Sequence, residues 1–186
     1  MSLLQMPTMI LSFHEGWDEL IRVHPSIARM FALLVLPFSF VPAAMIYYAG
    51  GHYGDVFSPG VSAQQWHFAA AVFFFAELLT VPVMAWIIHL ACRANNVPAG
   101  YHECFTLASI APIPMWISSL VLFVPNLVVC MLVGAIGLAC SLAITYRGMY
   151  ALFRMHEDLR AMQMATVVTA AGLLAWLILM QIALMH

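Results

Sequence analysis

The sequence predicts an all-α polytopic integral membrane protein: five transmembrane helices, with the N-terminus cytoplasmic and the C-terminus outside. Three observations predict it. The 186 residues are 65% hydrophobic and only 8% charged, whereas a soluble domain carries roughly 25% charged residues. Five apolar stretches each have about the 20 residues needed to cross a hydrocarbon core. Finally, all six cationic residues are arginines, and alternating the five stretches across a bilayer puts every one of them on the same side. The positive-inside rule makes that side the cytoplasm.

In chain order, residues 1–26 form a short cytoplasmic or interfacial segment. Met1–Phe13 is too short to span, and His14–Pro25, with Trp17, suits a short amphipathic helix at the headgroups. No cationic n-region or small-residue cleavage site marks a secretory signal. The remainder, residues 27–186, is the transmembrane domain. Span 1 (27–48) contains Pro37 and Pro42 and closes on Tyr47-Tyr48; its prolines free backbone carbonyls and predict a kink. Residues 49–65 read as a loop whose formal charge is Asp55. Span 2 (66–91) carries Glu77 and Pro82 and ends at Arg93.

Spans 3 (104–124) and 4 (127–146) are separated by a Pro125-Asn126 turn and form a tight hairpin. Span 3 holds Pro112 and Pro114. Span 4 holds Gly134, Gly137 and Ser141, and two rows of small residues recur along it every four positions: Ala135, Ala139, Ala143 and Gly137, Ser141, Thr145. Such rows allow close helix approach. A polar connector with Arg147, Arg154 and Arg160 leads to span 5 (164–185).

The stretches WDELIRVHPSIARMFALLVLPFSFVPAAMIYYAG, LASIAPIPMWISSLVLFVPNL and YRGMYALFRM resemble the Yip-domain family of five-span membrane proteins, named for Ypt/Rab-GTPase interaction. The similarity covers nearly the whole chain and is greatest to bacterial members of unknown function. It rests on Pro112 and Pro125 around span 3, Gly134 or Gly137 in span 4, and Tyr146, Gly148 and Leu152 at its exit. The resemblance implies five spans, a cytosolic N-terminus and residence in a bacterial inner membrane. Residues 1–26 lack the acidic, Gly-Pro-containing motif of the eukaryotic members, so the likeness does not extend to Rab binding.

Candidate chemistry is sparse. Glu77 is the acidic residue deep in a span, and an intramembrane carboxylate is a functional candidate because burying its charge is costly. It suits a proton- or cation-responsive group or a polar anchor in a cavity; the plainer alternative is a packing group hydrogen-bonded to a neighbouring span. His89, Cys92, His102 and Cys104, across the span 2–span 3 loop, offer four donors for zinc or another soft metal, although the spacing matches no standard motif. The cysteines, Cys130 and Cys140 included, read as reduced thiols. No H-E-x-x-H, P-loop or nucleophile elbow occurs, and no basic stripe suits nucleic acid. The expected protein is a non-enzymatic scaffold whose partners are the bilayer, another membrane protein or a second copy of itself. The alternatives are a small transporter or permeation component using Glu77, or, more weakly, a lipid-modifying enzyme. Broken helices at Pro37, Pro42, Pro82, Pro112, Pro114 and Pro125 could build a transport site but more simply bend a packed bundle.

Overall fold

A computed structural model describes residue 22 and residues 24–153, 166–174 and 177. Every element among them is helical. Four helical segments are long and apolar enough to cross a membrane: Ile27–Phe57, Ala63–Ala94, Tyr101–Phe123 and Leu127–Phe153. Residues 166–174 are also helical, but most of the expected fifth span lies outside the described residues, as do Met1–Ile21, Arg154 and Arg160.

The first segment starts at α1 (Ile27–Met30), whose first turn is capped by Ser26, the Oγ accepting from the Arg29 amide. A five-residue π-helical turn, Phe31–Val35, follows, and then α2 (Leu36–Phe57) with Pro37 in its first turn. The cause is local. Proline cannot donate to the carbonyl four residues back, so the ladder slips by one and the Leu36 amide reaches Phe31. Pro42, by contrast, lies inside α2, which runs unbroken until Tyr53 departs from helical geometry. The 49–65 loop is therefore much shorter than the sequence suggests. Helix continues to Phe57, and α3 (Ala63–Ala94) starts three residues before Trp66. A capping box makes that start: Ser62 Oγ accepts from the Gln65 amide, and Gln65 Oε1 accepts from the Ser62 amide. The C-terminus of α3 is a Schellman closure. Asn96 takes the left-handed conformation (φ 54), Val97 donates to the Cys92 carbonyl, and Asn96 donates to that of Arg93.

Span 3 is broken, as its prolines predict. It consists of α4 (Tyr101–Ile110), a turn at Ala111-Pro112, α5 (Ile113–Ser118) and a 3-10 turn, Ser119–Phe123. Pro125 then ends it, and Asn126 starts α6 (Leu127–Phe153), its Oδ1 accepting from the Val129 amide. α2 packs on α3, α3 on α4, and α5 on α6. The core joins Met30 and Val35 with Ile88, Phe105, Trp116 and Met149. Large side chains such as Phe40, Phe75, Leu79 and Leu132 point outward instead, as they do in proteins solvated by lipid.

Candidate functional site

Glu77 is buried, with 9% of its surface exposed. Its Oε2 accepts a 3.1 Å hydrogen bond from the indole Nε1 of Trp116. The bond joins the middle of α3 to α5, one turn beyond the Pro112 break. Trp116 was not singled out in the sequence. A signal did exist, because a mid-span indole N–H with no water to meet must find an acceptor in the protein. Glu77 was the acidic acceptor at matching depth. Elsewhere in the first three spans, hydroxyl groups turn back on their own helices: Ser39 donates to Leu36, Thr80 to Ala76, Thr106 to His102, and Ser109 to Thr106 carbonyls. Such local bonds satisfy a hydroxyl without any partner helix.

The four residues His89, Cys92, His102 and Cys104 do not gather into one donor set. Cys92 and Cys104 are both buried free thiols in mutual hydrogen-bond contact, so they tie the C-terminal end of α3 to the first turn of α4. His102 turns elsewhere. Its Nε2 lies 2.8 Å from the Pro25 carbonyl, and its ring stacks on that of His24 at 4.2 Å. His89 meets the Tyr101 ring edge-on, and its buried Nδ1 has no hydrogen-bond partner among the described residues. The spacing expectation fails because adjacent helical residues diverge by about 100°. His102 and Cys104 therefore point in different directions from one turn.

Of the predicted kinks, Pro37, Pro112, Pro114 and Pro125 stand at breaks or helix starts, while Pro42 and Pro82 lie within continuous helices. The small residues of span 4 also divide. Gly137 is buried, and a Cβ there would lie 2.8 Å from Ser118 Cβ and 3.2 Å from the Pro114 carbonyl oxygen. Thr145 is buried and Ser141 half-buried on the same row, whereas Ala135 and Ala139 are exposed and nothing lies within 4 Å of the corresponding position at Gly134. Sequence reasoning missed a second close approach, between α2 and α3. Trp66 lies over Gly50 and Gly54 of α2, within 2.2 Å and 2.5 Å of where their Cβ atoms would be. Tyr53 donates to the Leu122 carbonyl nearby.

A profile of the Yip1 domain matches residues 8–179. No curated protein and no solved structure matches the chain significantly. The profile spans nearly the whole sequence, and the described residues form the all-helical, membrane-length architecture such a domain requires. The chain belongs to the Yip1-domain family of integral membrane proteins.

Proposed function

We propose that this protein is a non-enzymatic scaffold of a bacterial inner membrane. In this reading it has five spans, a cytoplasmic N-terminus and an external C-terminus, and it holds lipids, another membrane protein or a second copy of itself. The observation that carries the reading is the Glu77–Trp116 bond. It makes the intramembrane carboxyl a tie between two helices. The connectors are short, with residues 58–62 and 95–100 between the first three segments. Neither of these two connectors is long enough to hold a catalytic domain, while the apolar periphery is broad enough to meet lipid or another helix.

One observation favours transport as the second reading: the break at Pro112 lies beside Trp116, and broken spans line substrate sites in transporters. Native mass spectrometry of the protein released from its own membrane in lipid particles separates the two. The scaffold reading expects a retained lipid, partner or second copy. A bare single chain, together with a proton or cation flux in proteoliposomes that Glu77→Gln abolishes, would replace it with transport.

A further inference from the structure

Away from Glu77, three metal-capable side chains converge where spans 1 and 3 begin. His24 precedes α1, and His102 and Glu103 stand in the first turn of α4. One donor atom from each lies within 4.8 Å of the other two. We infer that His24, His102 and Glu103 form a binding site for a first-row divalent metal ion, zinc above all, at the end of the bundle that carries Arg29 and Arg93.

The chemistry of the donors selects the metal. Two imidazoles and one carboxylate suit zinc, cobalt or nickel, whereas calcium and magnesium take oxygen ligands almost exclusively. Three protein ligands also leave a fourth tetrahedral position for water. His102 already has its outer-shell support. A backbone carbonyl only accepts, so His102 Nε2, 2.8 Å from the Pro25 oxygen, carries the hydrogen and Nδ1 carries the lone pair. A carbonyl on the remote nitrogen is the usual outer-shell support of a ligating histidine. Glu103 directs one carboxylate oxygen toward Gly100, where any side chain would begin 2.6 Å from Oε2. Its other oxygen, Oε1, lies 3.9 Å from His24 Nε2. His24 takes φ 45, left-handed backbone in which histidine is enriched among non-glycine residues, and its ring stacks on that of His102, centroids 4.2 Å apart and planes 18° from parallel. Imidazole lone pairs lie in the ring plane, so the stack opens when both rings turn onto one ion. Ligand atoms about 2.1 Å from a tetrahedral zinc lie about 3.4 Å apart. Closing the 3.9 Å gap and turning the His24 ring out of its stack are both side-chain movements, and His24 and Glu103, with side chains 59% and 32% exposed, have room to make them. A bound ion would clamp the segment before span 1 to the start of span 3.

The test uses tag-free, metal-stripped full-length protein in lipid nanodiscs, titrated with Zn²⁺ by calorimetry and with Co²⁺ by its d–d absorption. The expected result is one ion per chain and a tetrahedral cobalt spectrum. His24→Asn, which keeps a residue tolerant of left-handed backbone, and Glu103→Gln should each weaken binding on the order of 100-fold. The metal-free melting temperature and helical circular dichroism of both variants should match the parent. No stoichiometric binding by the parent overturns the proposal. So does unchanged binding in both variants, and so does binding that survives both but is lost in Cys92→Ser, which would assign the ion to the thiol pair.

Discussion

At the scale of single residues, Glu77 and Trp116 tie α3 to α5. The indole is the donor that the structure places on Glu77 Oε2. Replacing Trp116 with Phe keeps most of the ring volume but removes that donor, leaving a buried carboxyl oxygen without its bond. Side-chain hydrogen bonds between membrane helices are worth about 0.6 kcal/mol on average and up to about 1.7 kcal/mol. A double-mutant cycle of Trp116→Phe and Glu77→Leu, in which each change removes one partner of the bond, should therefore return a coupling of about 0.5–2 kcal/mol, read from unfolding in bicelles. Strictly additive single effects would show that the bond does not contribute. Glu77 was legible in the sequence because a carboxylate in an apolar stretch has few explanations. Trp116 was not, since the rotational setting of span 3 depends on how the Pro112 turn reorients α5.

At the scale of helices, glycine identity alone does not reveal packing. Gly137→Ala would press a methyl against Ser118 and the Pro114 carbonyl, and overpacking of this kind costs about 1–3 kcal/mol. Gly134→Ala, three residues away, meets open space and should stabilise the helix by about 0.5–1 kcal/mol through propensity. Unfolding midpoints in a denaturant series should move in opposite directions for the two variants. A common sign would contradict the placement of α6. Gly50→Ala tests the α2–α3 contact. Its methyl would sit 2.2 Å from Trp66 Cβ and Cγ, and because Cβ is fixed to the α3 backbone, α2 and α3 must separate. A loss of about 1–3 kcal/mol is expected. The spacing of small residues in span 4 was visible in the sequence. Which of its two rows turns inward was not, because both satisfy the same four-residue period.

At the scale of the whole molecule, the segments alternate in direction. Pro25 meets His102 at one end, and Tyr48 meets Phe123 at the other, their rings 5.1 Å apart. Arg29 and Arg93 thus share an end, and Asp55 lies toward the opposite one. Under the proposed orientation, trypsin should cleave at Arg93 in inside-out vesicles and leave right-side-out vesicles intact. A cysteine replacing Asp55 should react with an impermeant maleimide only from the periplasmic side. The reverse pattern in both assays would invert the topology.

By itself the sequence determined the class: lipid as solvent, helices of membrane length, breaks at Pro112 and Pro125, and family membership. These follow from composition, from the missing proline N–H and from patterns local to one stretch of chain. Tertiary structure alone decided the partners. Trp116 on Glu77, Trp66 over Gly50 and Gly54, Cys92 beside Cys104, and His24 beside His102 and Glu103 each join residues from different stretches of the chain. The reason is physical. In an ordinary soluble helix the apolar stripe shows which face turns inward. Here both faces are apolar, so the rotation of each helix is set by packing against its neighbours and leaves little trace in hydrophobicity.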